Sequence, residues 1–259
     1  MNITHYMAID WREILAFNQL DSFESLWQLD ADWFEEPNQR RGGWSGVSRV
    51  VLALPEGGEV AVFLKRQENH LRKTRAHPFR GIPTFRAEIE NILRLRELHI
   101  PTMEPVYYAE RNADKGWQCI LVTNELTGYQ PLDKAIEHWY AQGWDKYSAE
   151  RKSILVTAAS ACARLHKYRL VHMALHAKHL FVNRETTTVC FIDLEKMRSS
   201  WTSKRAMLRD LDSLNRHAYR LSRTDRLRFL LTYFDVPEVN AEIRGAWHAL
   251  ASRQRRKAG

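Results

Sequence analysis

The sequence predicts a two-lobed α+β protein, a small lobe built on an antiparallel sheet followed by a mainly helical lobe. Three observations carry this. Short apolar runs joined by turn residues occupy Val47 to Val122, with one helix-period segment among them. Helical periodicity takes over after Pro131. Between the two, Thr127–Pro131 (TGYQP) supplies the turn residues of a connector. The expected division is a lead-in over 1–40, the sheet lobe over 41–128 and the helical lobe over 129–259. A length of 259 residues accommodates two lobes, and 44% hydrophobic with 27% charged residues describes a folded chain.

In chain order, residues 1–40 are acidic and aromatic (Asp21, Glu24, Trp27, Trp33, Glu36) and predict a helical lead-in with an early strand. Val47–Leu54 reads as a strand, Pro55–Gly58 as a turn and Val60–Lys65 as a second strand, in which Ala61, Phe63 and Lys65 share one face. Arg66–Pro83 is basic and polar and predicts a loop. Thr84–His99 predicts a helix, with Phe85, Ile89, Ile92 and Leu95 at helical spacing. Glu88 falls on the apolar face of that helix, which calls for a partner. Val106–Tyr108 and Cys119–Val122 predict two more strands. Beyond the connector, Leu132–Trp139 and Ser153–Tyr168 predict helices, and 180–183 and 188–192 a hairpin. Basic amphipathic stretches follow over Lys204–Tyr233 and Glu238–Arg256.

Three isolated cysteines form neither a CxxC pair nor an even framework, so a disulfide scaffold is not expected. No secretory leader and no run of about 18 apolar residues is present, which points to the cytoplasm. Of the net charge of +8, the stretch from Lys204 onward carries +7, from 13 Lys/Arg and 6 Asp/Glu. Such a region suits a polyanionic partner, whether an anionic membrane surface, nucleic acid or a phosphorylated glycolipid, or is a solvated helical face. Nucleic acid is not expected. No recognised motif is present, and Trp27, Trp33, Trp139 and Trp144 lie outside the basic region.

The outline of a sheet lobe, a connector and a helical lobe is that of a kinase-like phosphotransferase, which must hold phosphates, neutralise them and orient an acceptor hydroxyl. Arg41–Val50 (RGGWSGVSRV) contains the later glycines of a phosphate-cradling loop, Gly43 and Gly46, with Arg41 where the first glycine belongs; a plain hairpin explains the same residues equally well. Glu59–Lys65 (EVAVFLK) ends in a lysine placed like the phosphate-contacting lysine of kinases, and Glu88 is its natural partner, because a lone inward charge is costly. In Leu165–Lys196 the kinase loop pattern H-R-D-x-x-x-x-N is matched in register by His172-Met173-Ala174, with His179 at the Asn position. Asp193 follows a short hairpin and is the best candidate for a Mg²⁺ ligand.

Together these features resemble the lipopolysaccharide kinase (Kdo/WaaP)/InaA family, a bacterial branch of the protein-kinase-like fold, over about Gly42 to Leu214. The resemblance rests on Lys65, on FRAEIENILRLRELHIPT with Glu88, on VTNELTG with Glu125, on HMALHAKHLFV, and on FIDLEK. It implies ATP and Mg²⁺ as cofactors, with Gly43, Gly46, Lys65, Glu88 and Glu125 on the nucleotide and His179 and Asp193 on the metal. It implies a nucleotide cleft between residues 40–125 and 132–259. It also implies that Asp210, in Arg209-Asp210-Leu211, braces the loop, and that the acceptor is an inner-core sugar of lipopolysaccharide, met peripherally at the inner face of the membrane.

Relatives that phosphorylate sugars keep the loop aspartate, whereas this chain has Ala174, which neither accepts a proton nor orients a hydroxyl. A positioned acid or base contributes about 10²–10⁴-fold, so the expectation divides between an impaired or unusual kinase and a pseudokinase that binds nucleotide or acts as a scaffold. His176 is the candidate stand-in and Lys178 the candidate contact to the transferred phosphate. His166, His172, His176 and His179 also admit reading as a transition-metal cluster, but their spacing fits no zincin.

Overall fold

The computed structural model describes residues 3–40, 42–73, 79, 81–114 and 116–258. The chain forms two compact units, one of residues 1–94 and 103–126, the other of residues 95–102 and 127–259. The expected α+β composition is observed, with the antiparallel sheet in the first unit and most helices in the second.

The first unit contains β1 (His5–Met7), α1 (Arg12–Phe17), α2 (Phe23–Gln28), β2 (Trp33–Arg40), β3 (Gly43–Ala53), β4 (Glu59–Glu68), β5 (Leu71–Arg72), β6 (Ile82–Pro83), α3 (Thr84–Glu97), β7 (Pro105–Ala113) and β8 (Gly116–Asn124). Six strands form one antiparallel sheet in the order β1-β7-β8-β4-β3-β2. The alternation along β4 explains how both faces are used. Val62 and Leu64 point to a core that Leu52, Ile120 and Val122 share with Trp11, Leu15, Leu20 and Leu26 of the N-terminal segment. Lys65 and Gln67 point the other way, where the Gln67 amide oxygen accepts from the Thr84 hydroxyl at the start of α3 (2.7 Å).

Two sequence expectations change here. The loop expected from Arg66 gives way to three more residues of β4, because the Arg66 guanidinium is buried and donates to the carbonyls of Trp27 (3.0 Å) and Leu29 (2.8 Å) beneath the Trp33 ring. A charged side chain satisfied in this way reads as a loop in a sequence and as a strand in a fold. The first forty residues also do more than lead in, since β1 pairs with β7 and β2 with β3.

The second unit contains β9 (Tyr129–Pro131), α4 (Leu132–Gln142), α5 (Ser148–Lys167), β10 (Leu170–Val171), β11 (Leu180–Asn183), β12 (Thr188–Phe191), β13 (Arg198–Ser199), α6 (Ser203–His217), α7 (Arg223–Phe234) and α8 (Ala241–Ala258). Strands β12, β11 and β9 form a small sheet, β10 pairs with β13, and α5 packs on α6 and α7. Thr102 holds this sheet from outside, its hydroxyl donating to the Phe191 carbonyl (3.0 Å).

The long basic stretch after Lys204 is two helices, and much of its charge is spent internally. Arg226 is half-buried and donates to the carbonyls of Leu221, Ala218 and Tyr219 and to the Asn215 side chain. Arg216 pairs with Asp212, Arg228 with Asp225, and Arg220 lies over the Tyr140 ring. An apolar cavity of about 350 Å³ opens among α6, α7 and α8, lined by Leu211, Leu214, Phe229, Leu230, Trp247 and Leu250.

Candidate functional site

In the first unit, β4 and α3 bring Lys65 and Glu88 together as the sequence leads one to expect. The ammonium donates to Glu88 Oε1 at 2.6 Å, and the carboxylate is buried. The two out-of-place charges of the sequence thus explain one another.

The glycine segment takes the hairpin form that the sequence also allows. Arg41 lies outside the described residues. Gly42 occupies the turn at φ 78°, and Gly43 and Gly46 stand inside β3 rather than in an open loop. Packing within the sheet already requires both. A Cβ on Gly43 would sit 2.0 Å from the Glu68 carbonyl oxygen, and one on Gly46 would sit 2.6 Å from the Trp33 ring. The Glu125 carboxylate is likewise engaged, gripped by both arms of the Arg49 guanidinium (2.7 and 2.8 Å), which holds its pKa below the usual carboxylate range.

In the second unit, the stretch Leu170–Leu180 is fixed from below by Asp210. This buried carboxylate on α6 accepts the backbone N–H groups of His172 (2.6 Å) and Met173 (3.0 Å) and lies 3.2 Å from His166 Nε2. A carboxylate can only accept, so His166 Nε2 carries a proton; its Nδ1 then accepts from the Tyr233 hydroxyl (2.9 Å). The clamp also holds Met173 at φ 73°, a conformation that a bulky side chain avoids.

The same loop positions Asp193. The Ile192 N–H donates to the His179 carbonyl (3.1 Å), and the Ile192 carbonyl accepts from His172 Nε2 (2.9 Å). With the N–H and the carbonyl of Ile192 both bonded, Asp193 adopts a left-handed conformation (φ 56°, ψ 58°) at the end of the hairpin. Its carboxylate lies 3.4 Å from His179 Nδ1. That nitrogen donates to the Ala174 carbonyl (2.8 Å), so in the neutral ring His179 Nε2 keeps its lone pair. Asp193 and His179 offer two donors, and among the described residues no group of three or more His, Cys, Asp or Glu could hold a metal. The Asp193 carboxylate is the donor that suits a hard ion such as Mg²⁺, which would complete its shell with water and phosphate oxygens, while His179 Nε2 would be a softer additional donor. The arrangement does not fit the transition-metal cluster, because His166 is turned to Asp210 and Tyr233.

Ala174 is buried, and its carbonyl also accepts the His176 N–H (2.7 Å). Beyond it the rings form a column. His176 stacks on His217 of α6 (3.8 Å between centroids) and on His179 (5.2 Å), and His179 stacks on His172 (6.2 Å). Among the described residues neither His176 ring nitrogen has a hydrogen-bond partner, and Lys178 is exposed.

Burial, then the neighbouring His217, His179, Lys178 and Arg216, push the His176 pKa down to about 4, and burial pushes His172 down as well. A base whose folded pKa lies below its unfolded value of about 6.5 binds more protons when unfolded. Its neutral-state stability is therefore complete above pH 6.5 and is lost as pH falls toward 4. Thermal melts of His176→Phe should accordingly lose less midpoint temperature between pH 7 and pH 4.5 than wild type. Parallel curves for the two proteins would remove His176 from the acid response.

A family model described as the lipopolysaccharide kinase (Kdo/WaaP) family matches residues 24–233. The chain belongs to that family. Protein InaA of Escherichia coli (strain K12) is 30% identical over 208 residues, 79% of this chain and 92% of InaA. The lipopolysaccharide core heptose(I) kinase WaaP of Pseudomonas aeruginosa is 28% identical over 165 residues, 59% of this chain and 60% of that kinase. A solved structure of WaaP in complex with acyl carrier protein matches with a TM-score of 0.70 at 23% identity, covering 98% of each chain, a likeness of fold.

Two residues of this lipopolysaccharide kinase family member escaped sequence reasoning. Tyr233 bonds His166, and His217 closes the ring column; His166, read from the sequence as a candidate metal ligand, instead braces Asp210. Only His217 left a signal, two helical turns after Asp210 on α6 and so on the same face.

Proposed function

We propose that this lipopolysaccharide kinase family member transfers a phosphoryl group from ATP, with Mg²⁺, to an inner-core sugar hydroxyl of lipopolysaccharide at the cytoplasmic face of the membrane. The observation that carries the reading is Asp193, held left-handed beside His179 by a peptide bonded on both sides. A left-handed backbone kept at a carboxylate that lies against His179 at the end of a hairpin supports a functional role.

In this reading Lys65, oriented by Glu88, contacts the nucleotide phosphates, and Asp193 and His179 hold the metal. Bound Mg²⁺ supplies charge neutralisation on the phosphates. Lys178 contacts the phosphoryl group in transit. His176, neutral at pH 7, orients the acceptor hydroxyl. The acceptor oxygen–phosphorus bond forms as the bridging bond to ADP breaks, and the hydroxyl proton leaves to solvent. Orientation and electrostatics are what a loose transition state mainly requires.

The reading is tested by Mg²⁺-dependent ATP binding and by transfer to deacylated core glycolipid. Asp193→Asn is expected to weaken metal-dependent ATP binding by at least about tenfold, because a charged ligand to the ion becomes neutral. Unchanged binding would remove Asp193 from the metal. Ala174 favours a second reading, a pseudokinase that binds nucleotide or serves as a scaffold without turnover. Metal-dependent binding of ATP by wild type, with no transfer to any core glycolipid, is its signature.

A further inference from the structure

We infer that the surface formed by the Lys167–Arg169 turn and the segment Arg198–Arg205 is a docking face for an anionic lipid bilayer. Its parts are held side by side by the β10–β13 pairing (Leu170 with Ser199, Val171 with Arg198) and by Ser200 N–H donating to the Arg169 carbonyl (2.6 Å). Five cations lie on it, Lys167, Arg169, Arg198, Lys204 and Arg205, all exposed. Among the described residues none of the five is in an ion pair, and neither segment contains an acid. Trp201 is 78% exposed and Tyr168 46% exposed on the same segments.

Three of these cations are kept against local preference, which is the strongest argument for a role. Arg169 follows the end of α5 at φ 54°, the left-handed position where helices favour glycine. Lys204 and Arg205 occupy the first turn of α6, which Thr202 caps and which holds no acid, so both oppose the positive end of the helix dipole. Such violations are expected where function demands them. The occupant follows from the side chains. The cations are spread over two segments instead of converging on one anion, and an indole and a phenol project among them. That is the chemistry of the headgroup layer, where Trp and Tyr sit at the interface and each basic residue adds attraction to anionic lipid. The face takes only Lys204 and Arg205 from the basic region to which sequence charge points, where several other cations are spent on Asp212, Asp225 and backbone carbonyls.

The test separates stability from binding. Arg169→Gly relieves the strained turn and Lys204→Glu/Arg205→Glu complements the helix dipole, so both variants are expected to melt at or above the wild-type temperature. On phosphatidylcholine vesicles doped with phosphatidylglycerol, Arg169→Gly should bind about fivefold more weakly and the double variant at least about 25-fold more weakly, at one factor of five per cation. Wild-type binding should fall with added salt. Brominated lipid should quench wild-type fluorescence but quench Trp201→Phe less. Asp193→Asn should bind vesicles like wild type, so failure here and failure of the kinase reading are told apart. Equal affinity of wild type and both variants, binding to neutral vesicles alone, or retention by poly-glutamate without vesicle binding would each overturn the inference.

Discussion

Asp210→Ala is expected to lose on the order of 3–6 kcal/mol of unfolding free energy, measured by urea denaturation. The residue is fully buried and receives three donors, the backbone N–H groups of His172 and Met173 and the His166 imidazole N–H. Truncation leaves those donors in a cavity too apolar to replace the carboxylate. A buried unsatisfied donor costs about 1–3 kcal/mol each, while a whole domain is stable by about 5–15 kcal/mol. Asp210→Asn should lose less, about 1–3 kcal/mol, because its oxygen still serves some of the donors while its amide nitrogen faces another. The clamp also holds Met173 left-handed, so Ala at 210 should release the loop and Asp193 with it. A loss below about 1 kcal/mol for Asp210→Ala would show that the loop holds its own shape and that Asp210 is incidental.

The residues that could be read from the sequence are those whose type contradicted their surroundings. Lys65 and Glu88 stood out because each charge fell on an apolar face, and they meet at 2.6 Å. Asp193 was placed by register to apolar runs and Asp210 by the family resemblance, and the structure puts Asp210 under the loop backbone. Residues whose surroundings are long-range stayed hidden. Arg66 reads as a loop residue until Trp27 and Leu29 present their carbonyls. Gly43 and Gly46 read equally as a ligand loop or a plain hairpin, because a sequence does not show the Glu68 backbone or the Trp33 ring pressed against them. The charge sum after Lys204 leaves out tertiary surroundings in the same way. It counts cations without the tertiary acids and carbonyls that occupy some of them, such as Arg216, Arg226 and Arg228, while Lys204 and Arg205 stay out of ion pairs among the described residues.

Ala174→Asp is the substitution on which the two functional readings part most widely. If the site is a working kinase lacking its loop acid, restoring a carboxylate that orients the acceptor hydroxyl should raise transfer by about 10²–10⁴-fold. The protein should become less stable at the same time. Position 174 is buried, its carbonyl is committed to the His176 N–H and to His179 Nδ1, and a carboxylate placed there loses hydration. A rise in rate with a fall in melting temperature is therefore the expected pair, and it cannot come from better folding. His176→Ala in the Ala174→Asp background should then lose little rate, since the orienting task has passed to the new carboxylate, whereas His176→Ala alone should lose most of the native transfer. A variant that folds, binds ATP with Mg²⁺ and still transfers nothing would decide for the pseudokinase, because the acid alone would not have been what the chain lacks.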